Sequence, residues 1–242
     1  MITDSMTVGE IAIQIPESTR LFEQLKIDYC CGGNQPLAEA CNSAGLDLDQ
    51  LMEMLRFASV KHEDTNGAKD FQNLPLPELI DHILETHHVF TKQELTRLEL
   101  LAAKVIAAHG ANHQELRRVG TLVEQLAADL EPHMFKEEQV LFPYILKSSQ
   151  AELDKSQAPF APFGTVRNPV RMMMFEHDNA GQLLRELRDV TSDYTVPDDA
   201  CISYKTFYEA LEALERDLHQ HIHLENNILF PRAVSLEAQL RA

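Results

Sequence analysis

The chain has 242 residues, 44% of them hydrophobic and 24% charged, enough for one large domain or two smaller ones that bury a core. Lys and Arg total 21 against 38 Asp and Glu, a formal charge of −17 at pH 7. A field of that sign repels phosphate backbones and anionic lipid, so neither nucleic acid nor a membrane is an expected partner.

No stretch reaches the roughly 18 uninterrupted apolar residues of a membrane span, and no basic segment followed by an apolar run opens the chain. The four cysteines, Cys30, Cys31, Cys41 and Cys201, are too unevenly placed for a disulfide framework. The expected setting is a reducing cytoplasm.

The first elements are short helices. Residues 8–13 form one that ends before Pro16, and residues 17–25 form a second with Leu21, Phe22 and Leu25 as its apolar stripe. Asp28-Tyr29-Cys30-Cys31-Gly32-Gly33-Asn34 then reads as a helix stop and a turn. A third helix occupies 36–41 and ends by Gly45; a fourth, over 48–58, places Leu48, Leu51, Met52 and Leu55 at helical spacing. The polar stretch 61–73 joins this region to the rest. The expected organisation is a small helical Cys-Cys domain over 1–65, a linker over 66–75 and a second domain over 76–242.

Four long helices follow. The first covers about 77–108, and Gly110 turns it into a second over about 112–147. Residues 148–168 make one long crossover, after which Asn168 caps a third helix with Pro169 in its first turn, running to about 191. A turn through Pro197-Asp198-Asp199 opens the last helix, about 202–240. Short, long and short connections describe an up-down four-helix bundle made of two hairpins, and the fold class is all-α.

The bundle carries an internal repeat. His133, Glu137, Phe142 and Pro143 recur as His221, Glu225, Phe230 and Pro231 at identical offsets. Upstream, His88 precedes His133 by 45 residues and His177 precedes His221 by 44. Residues four apart share a helix face. That face is otherwise apolar: Val119, Val123, Leu126 and Leu130 lead to His133 with Val140 beyond, and Phe207, Leu211, Leu214 and Leu218 lead to His221 with Ile228 beyond. Unpaired carboxylates there would cost several kcal/mol, on the order of what bound cations would relieve.

Four imidazoles and two carboxylates with no thiolate suit two divalent transition ions, iron or manganese ahead of structural zinc. Ferritin-like bundles need Glu-x-x-His on two helices, and here Glu85-x-x-His88 occurs once, so the pattern points to a hemerythrin-like site. His87 is the neighbouring alternative to His88. Asp129 and Asp217, each four residues before a candidate ligand, either orient imidazole N–H groups or are acids on an exposed face. His62, His82, His109, His113, His219 and His223 fall outside the pattern and read as surface or neighbouring polar residues.

With both signatures in hand, the chain resembles the Repair of Iron Centres family of di-iron proteins along its whole length. Asp28-Tyr29-Cys30-Cys31-Gly32-Gly33 looks like that family's N-terminal motif, and the repeated His-x-x-x-Glu with Leu-Phe-Pro looks like its hemerythrin-like domain. The resemblance implies two non-haem iron ions held by His88, His133, Glu137, His177, His221 and Glu225, with Glu137 and Glu225 as bridges. It implies repair of iron–sulfur proteins damaged by nitrosative or oxidative stress, through iron donation or handling of nitric oxide at the iron centre. Nitric oxide reductase activity overlaps that reading, and a hemerythrin-like sensor or carrier of O2 or nitric oxide is the alternative. The chain is expected as a monomer or homodimer. Cys30 and Cys31 are candidates for thiol transfer or redox exchange beside a packing role, and Cys41 and Cys201 read as packing residues.

Overall fold

The structure, a computed structural model, describes residues 2–64 and 70–242. The described residues form helices and one isolated antiparallel bridge, Thr7 with Pro36. Residue 65, the expected end of the front domain, residues 66–69 of the expected linker and the His62 side chain lie outside the described part.

In the front region α1 (Val8–Gln14) starts on a capping box: the Thr7 hydroxyl accepts the Glu10 N–H, and the Thr7 N–H donates to the Glu10 carboxylate. After α2 (Ser18–Gln24) the chain turns at Lys26, φ 58°, and α3 (Leu37–Ser43) ends at Gly45, φ 67°, left-handed positions that stop a helix. The last front helix, α4, covers Leu48–Asp64 and so runs past its expected end at 58 into the polar stretch that begins at 61. Val8, Ile11, Phe22, Tyr29, Leu37, Leu51 and Leu55 form a separate buried core.

The bundle comprises α5 (76–109), α6 (115–153), α7 (Arg167–Val190) and α8 (202–241). Three of its helices widen into π turns, in α5 at Ile83–His88, in α6 at Glu137–Leu141 and in α8 at Leu224–Leu229. The repeat explains two of them. Pro143 and Pro231 lack an N–H and would clash with the carbonyl four residues back in a regular helix. A turn widened by one residue relieves this: the Phe142 N–H donates to the Glu137 carbonyl, and the Phe230 N–H to that of Glu225.

The extra residue also shifts the apolar register. Val140, expected inside, is 43% exposed, and Leu141 is buried in its place. Two further expectations change. The crossover shortens to 154–166 because α6 continues to Leu153, and α7 starts at Arg167 without a side-chain cap. Asn168 therefore lies inside α7, its amide donating to the Phe163 carbonyl.

Two apolar clusters fill the bundle, one around Leu98, Leu122, Leu126, Phe207 and Leu214, the other around Ile83, Phe142, Ile145, Leu229 and Phe230. The conserved-offset His and Glu residues of the repeat form a polar layer between them, all 1% exposed or less. No helix of the described residues is long and apolar enough to cross a membrane.

The front region docks on α8 at the turn after Glu225. The Asn227 amide donates to the Tyr29 carbonyl at 3.0 Å. A Cβ on Gly33 would stand 2.7 Å from Asn227 Oδ1, so the second glycine of the pair permits this close approach. His223 is buried in the same contact, its ring edge against Tyr29 and Nδ1 2.9 Å from the Asn227 amide.

Candidate metal centre

Each hairpin supplies one histidine from its first helix and a His-x-x-x-Glu from its second, and the fold brings all six together. Donor atoms of His88, Glu137, His221 and Glu225 lie within 4.8 Å of one another, as do those of His133, Glu137, His177 and Glu225. Two cages thus share both carboxylates, and each takes one histidine from each hairpin. Glu137 Oε2 is 3.4 Å from His88 Nε2 and 3.3 Å from His133 Nε2. Glu225 Oε1 is 3.1 Å from His221 Nε2, and its Oε2 is 3.2 Å from His177 Nε2. The repeated phenylalanines back the first-helix ligands: Phe142 lies against His88 and Phe230 stacks on His177.

Despite these approaches, His88 Nε2, His221 Nε2 and all four oxygens of Glu137 and Glu225 lack a hydrogen bond of acceptable geometry. Buried polar atoms are rarely left so, and a cation in each cage would satisfy them. Burial, then the neighbouring His221, lowers the His88 pKa to about 4; burial and His177 do the same for His133. Both are neutral at pH 7 with lone pairs available. Burial and the charge of Glu225 push Glu137 well above the usual carboxylate range. Burial works the same way on Glu225, yet the His221 and His177 imidazoles hold it well below.

The outer nitrogens have partners that sequence reading missed. His88 Nδ1 faces Glu138 at 2.8 Å, His133 Nδ1 faces Glu176 at 2.8 Å and His177 Nδ1 faces Asn226 at 2.9 Å. Such contacts fix tautomer and ring orientation. Glu138 and Asn226 occupy the same position of the repeat, directly after the shared glutamates, and that coincidence was the available signal. Asp129 is exposed and Asp217 faces His87 Nδ1 at 3.0 Å, so neither orients the histidine four residues later. His87 is buried outside both cages, stacked parallel to His221.

The Cys-Cys loop lies against this layer. Cys31 Sγ is 3.5 Å from the His177 carbonyl, and Asn226, which accepts from His177, donates to the Cys30 carbonyl at 3.4 Å. Cys30 is buried with its sulfur 3.9 Å from that of Cys31, and the neighbouring thiol together with burial pushes it well above its ordinary pKa. Cys31 is half-buried and Cys41 buried, but Cys201 is exposed, against the expectation of a packing role.

A four-helix bundle with two histidine pairs around shared buried carboxylates is a cation-binding protein of the hemerythrin type. The hemerythrin HHE cation-binding domain matches residues 79–233, and a domain of unknown function, DUF542, matches residues 4–58. Over 230 residues the chain is 35% identical to the iron–sulfur cluster repair protein YtfE of Yersinia pseudotuberculosis serotype IB, covering 95% of this chain and 97% of that protein. The proteins of that name from Yersinia pestis strains Pestoides F and Angola match to the same extent. The chain belongs to this family of iron–sulfur cluster repair proteins, the Repair of Iron Centres family.

Proposed function

We propose that the chain holds two iron ions and serves the repair of damaged iron–sulfur proteins, the activity that its relatives' name states for them. One ion would sit between His88 and His221, the other between His133 and His177, with Glu137 and Glu225 bridging. The sharing of both buried carboxylates by two imidazole pairs is the observation that carries this reading. A donor set of nitrogen and oxygen without thiolate suits iron better than structural zinc. Iron so held supplies exchangeable metal and one-electron chemistry.

Burial keeps the His88 and His133 imidazoles neutral, and Glu138, Glu176 and Asn226 fix the rings of His88, His133 and His177. For Cys30 and Cys31 the reading assigns thiol exchange between this store and an acceptor. Its support is that Cys31 touches the His177 backbone while lining an open cleft with Arg185 and His219. The test is transfer. Protein loaded with isotopic iron is mixed with an iron–sulfur enzyme inactivated by nitric oxide or peroxide, and a sulfide source is added. The expected result is labelled iron and activity in the acceptor; full retention of label in the donor would refute donation.

Nitric oxide and O2 are the small ligands of a second reading. Four protein ligands per ion, the number in each cage, leave a six-coordinate iron open positions. Sustained consumption of nitric oxide by the reduced protein would favour turnover over donation, and reversible O2 binding would favour a carrier.

A further inference from the structure

A second group of metal-ligating side chains stands at one end of the bundle, where the turn after α5 meets the loop before α8. It is about 30 Å along α5 from His88, at roughly 1.5 Å per residue. His109 closes α5, and His113 follows across a tight turn in which its N–H donates to the His109 carbonyl at 2.9 Å. Asp199 arrives from the opposite loop with its carboxylate oxygens 3.0 and 3.2 Å from His113 Nε2. Donor atoms of His109, His113 and Asp199 all lie within 4.8 Å of one another.

The surroundings orient these donors. Glu115 Oε1 is 3.0 Å from His113 Nδ1, which leaves Nε2 turned towards Asp199. The Tyr204 ring stands edgewise to both imidazoles, with centroids 5.3 Å from His109 and 5.4 Å from His113.

We propose that His109, His113 and Asp199 form a separate metal site for a zinc-class divalent cation. Two imidazoles and a carboxylate are a zinc donor set that leaves a fourth, tetrahedral position for water. Glu115 on the outer nitrogen of His113 completes a carboxylate–histidine–metal arrangement. As a bare surface network the same contacts would contribute little. With the ion, the connection inside the first hairpin is tied to the connection inside the second.

The inference stands apart from the iron reading, and its test separates the two. Iron-loaded, full-length protein is dialysed against zinc and both metals are counted. One zinc beyond the iron is expected, and His113→Ala and Asp199→Asn should each weaken its binding at least tenfold with iron unchanged and the far-ultraviolet dichroism intact. Both substitutions lie at partly or fully exposed positions, so folding is not at stake. Zinc uptake solely in exchange for iron, or equal zinc affinity in parent and both variants, would overturn the site.

Discussion

Replacing Glu137 with Leu should have opposite effects on the iron-free and iron-loaded protein. Glu137 is 0% exposed and neither oxygen has a hydrogen bond, while apolar clusters lie on both sides of its layer. A buried polar group without a partner costs about 1–3 kcal/mol, and an apolar replacement removes that cost. The iron-free variant should therefore be the more stable. At roughly 2–4 °C per kcal/mol for a chain of this size, its Tm should rise by about 2–12 °C. With iron the order reverses, because the parent gains binding free energy and the variant has lost a ligand common to both cages. Bound iron should fall to half or less. Calorimetry on chelator-stripped and iron-loaded samples of both proteins, with iron analysis, checks each part. A variant that keeps both ions, or an iron-free variant that melts below the parent, would refute the reasoning.

Three further outcomes follow from the same geometry. Burial lowers His88 and His133 to about 4, so protons should compete for these ligands near that pH, and iron should leave with a midpoint well below the ~6.5 of free imidazole. Between about 6.5 and 4 the unfolded chain binds more protons than the folded one, so the iron-free protein loses stability as pH falls through that window. Iron content and melting measured across pH test both, and release centred near 6.5 would contradict buried ligation. Glu138→Ala removes the partner of His88 Nδ1 and should weaken iron binding about 10- to 100-fold in a chelator competition; unchanged affinity would dismiss its positioning role. A Cys30→Ser, Cys31→Ser variant should keep the iron and its visible spectrum yet fail to reactivate a damaged iron–sulfur enzyme. Full repair by a variant destabilised by about 1–3 kcal/mol would instead assign the pair to packing.

The helical architecture was legible because each bundle helix carries a long apolar stripe, punctuated by Gly110 and by the crossover read at 148–168, which the structure trims to 154–166. The six residues of the cages were legible because two hairpins repeat one pattern, and the fold superposes those copies about a common layer. What surrounds them was not. The partners of His88, His133 and His177 come from other helices, 50, 43 and 49 residues away, and spacing within one helix cannot reveal them. Reading along a single helix favoured Asp129 and Asp217 for that reason. The π turns were hidden as well: Phe142-Pro143 and Phe230-Pro231 were visible as a motif, but their effect on helix register, which turns Val140 outward, required the backbone. Cys201 was read as packing from residue type, whereas its place at the start of α8 exposes it.

In the proposed centre two ions share Glu137 and Glu225 and take their other ligands from histidine. Iron K-edge X-ray absorption on the iron-loaded protein tests it most directly. The expected spectrum shows a first shell of nitrogen and oxygen and an iron–iron vector of roughly 3.5–4 Å, the usual spacing of two-metal sites. Sulfur in the first shell, or iron with no iron neighbour at full loading, would contradict it.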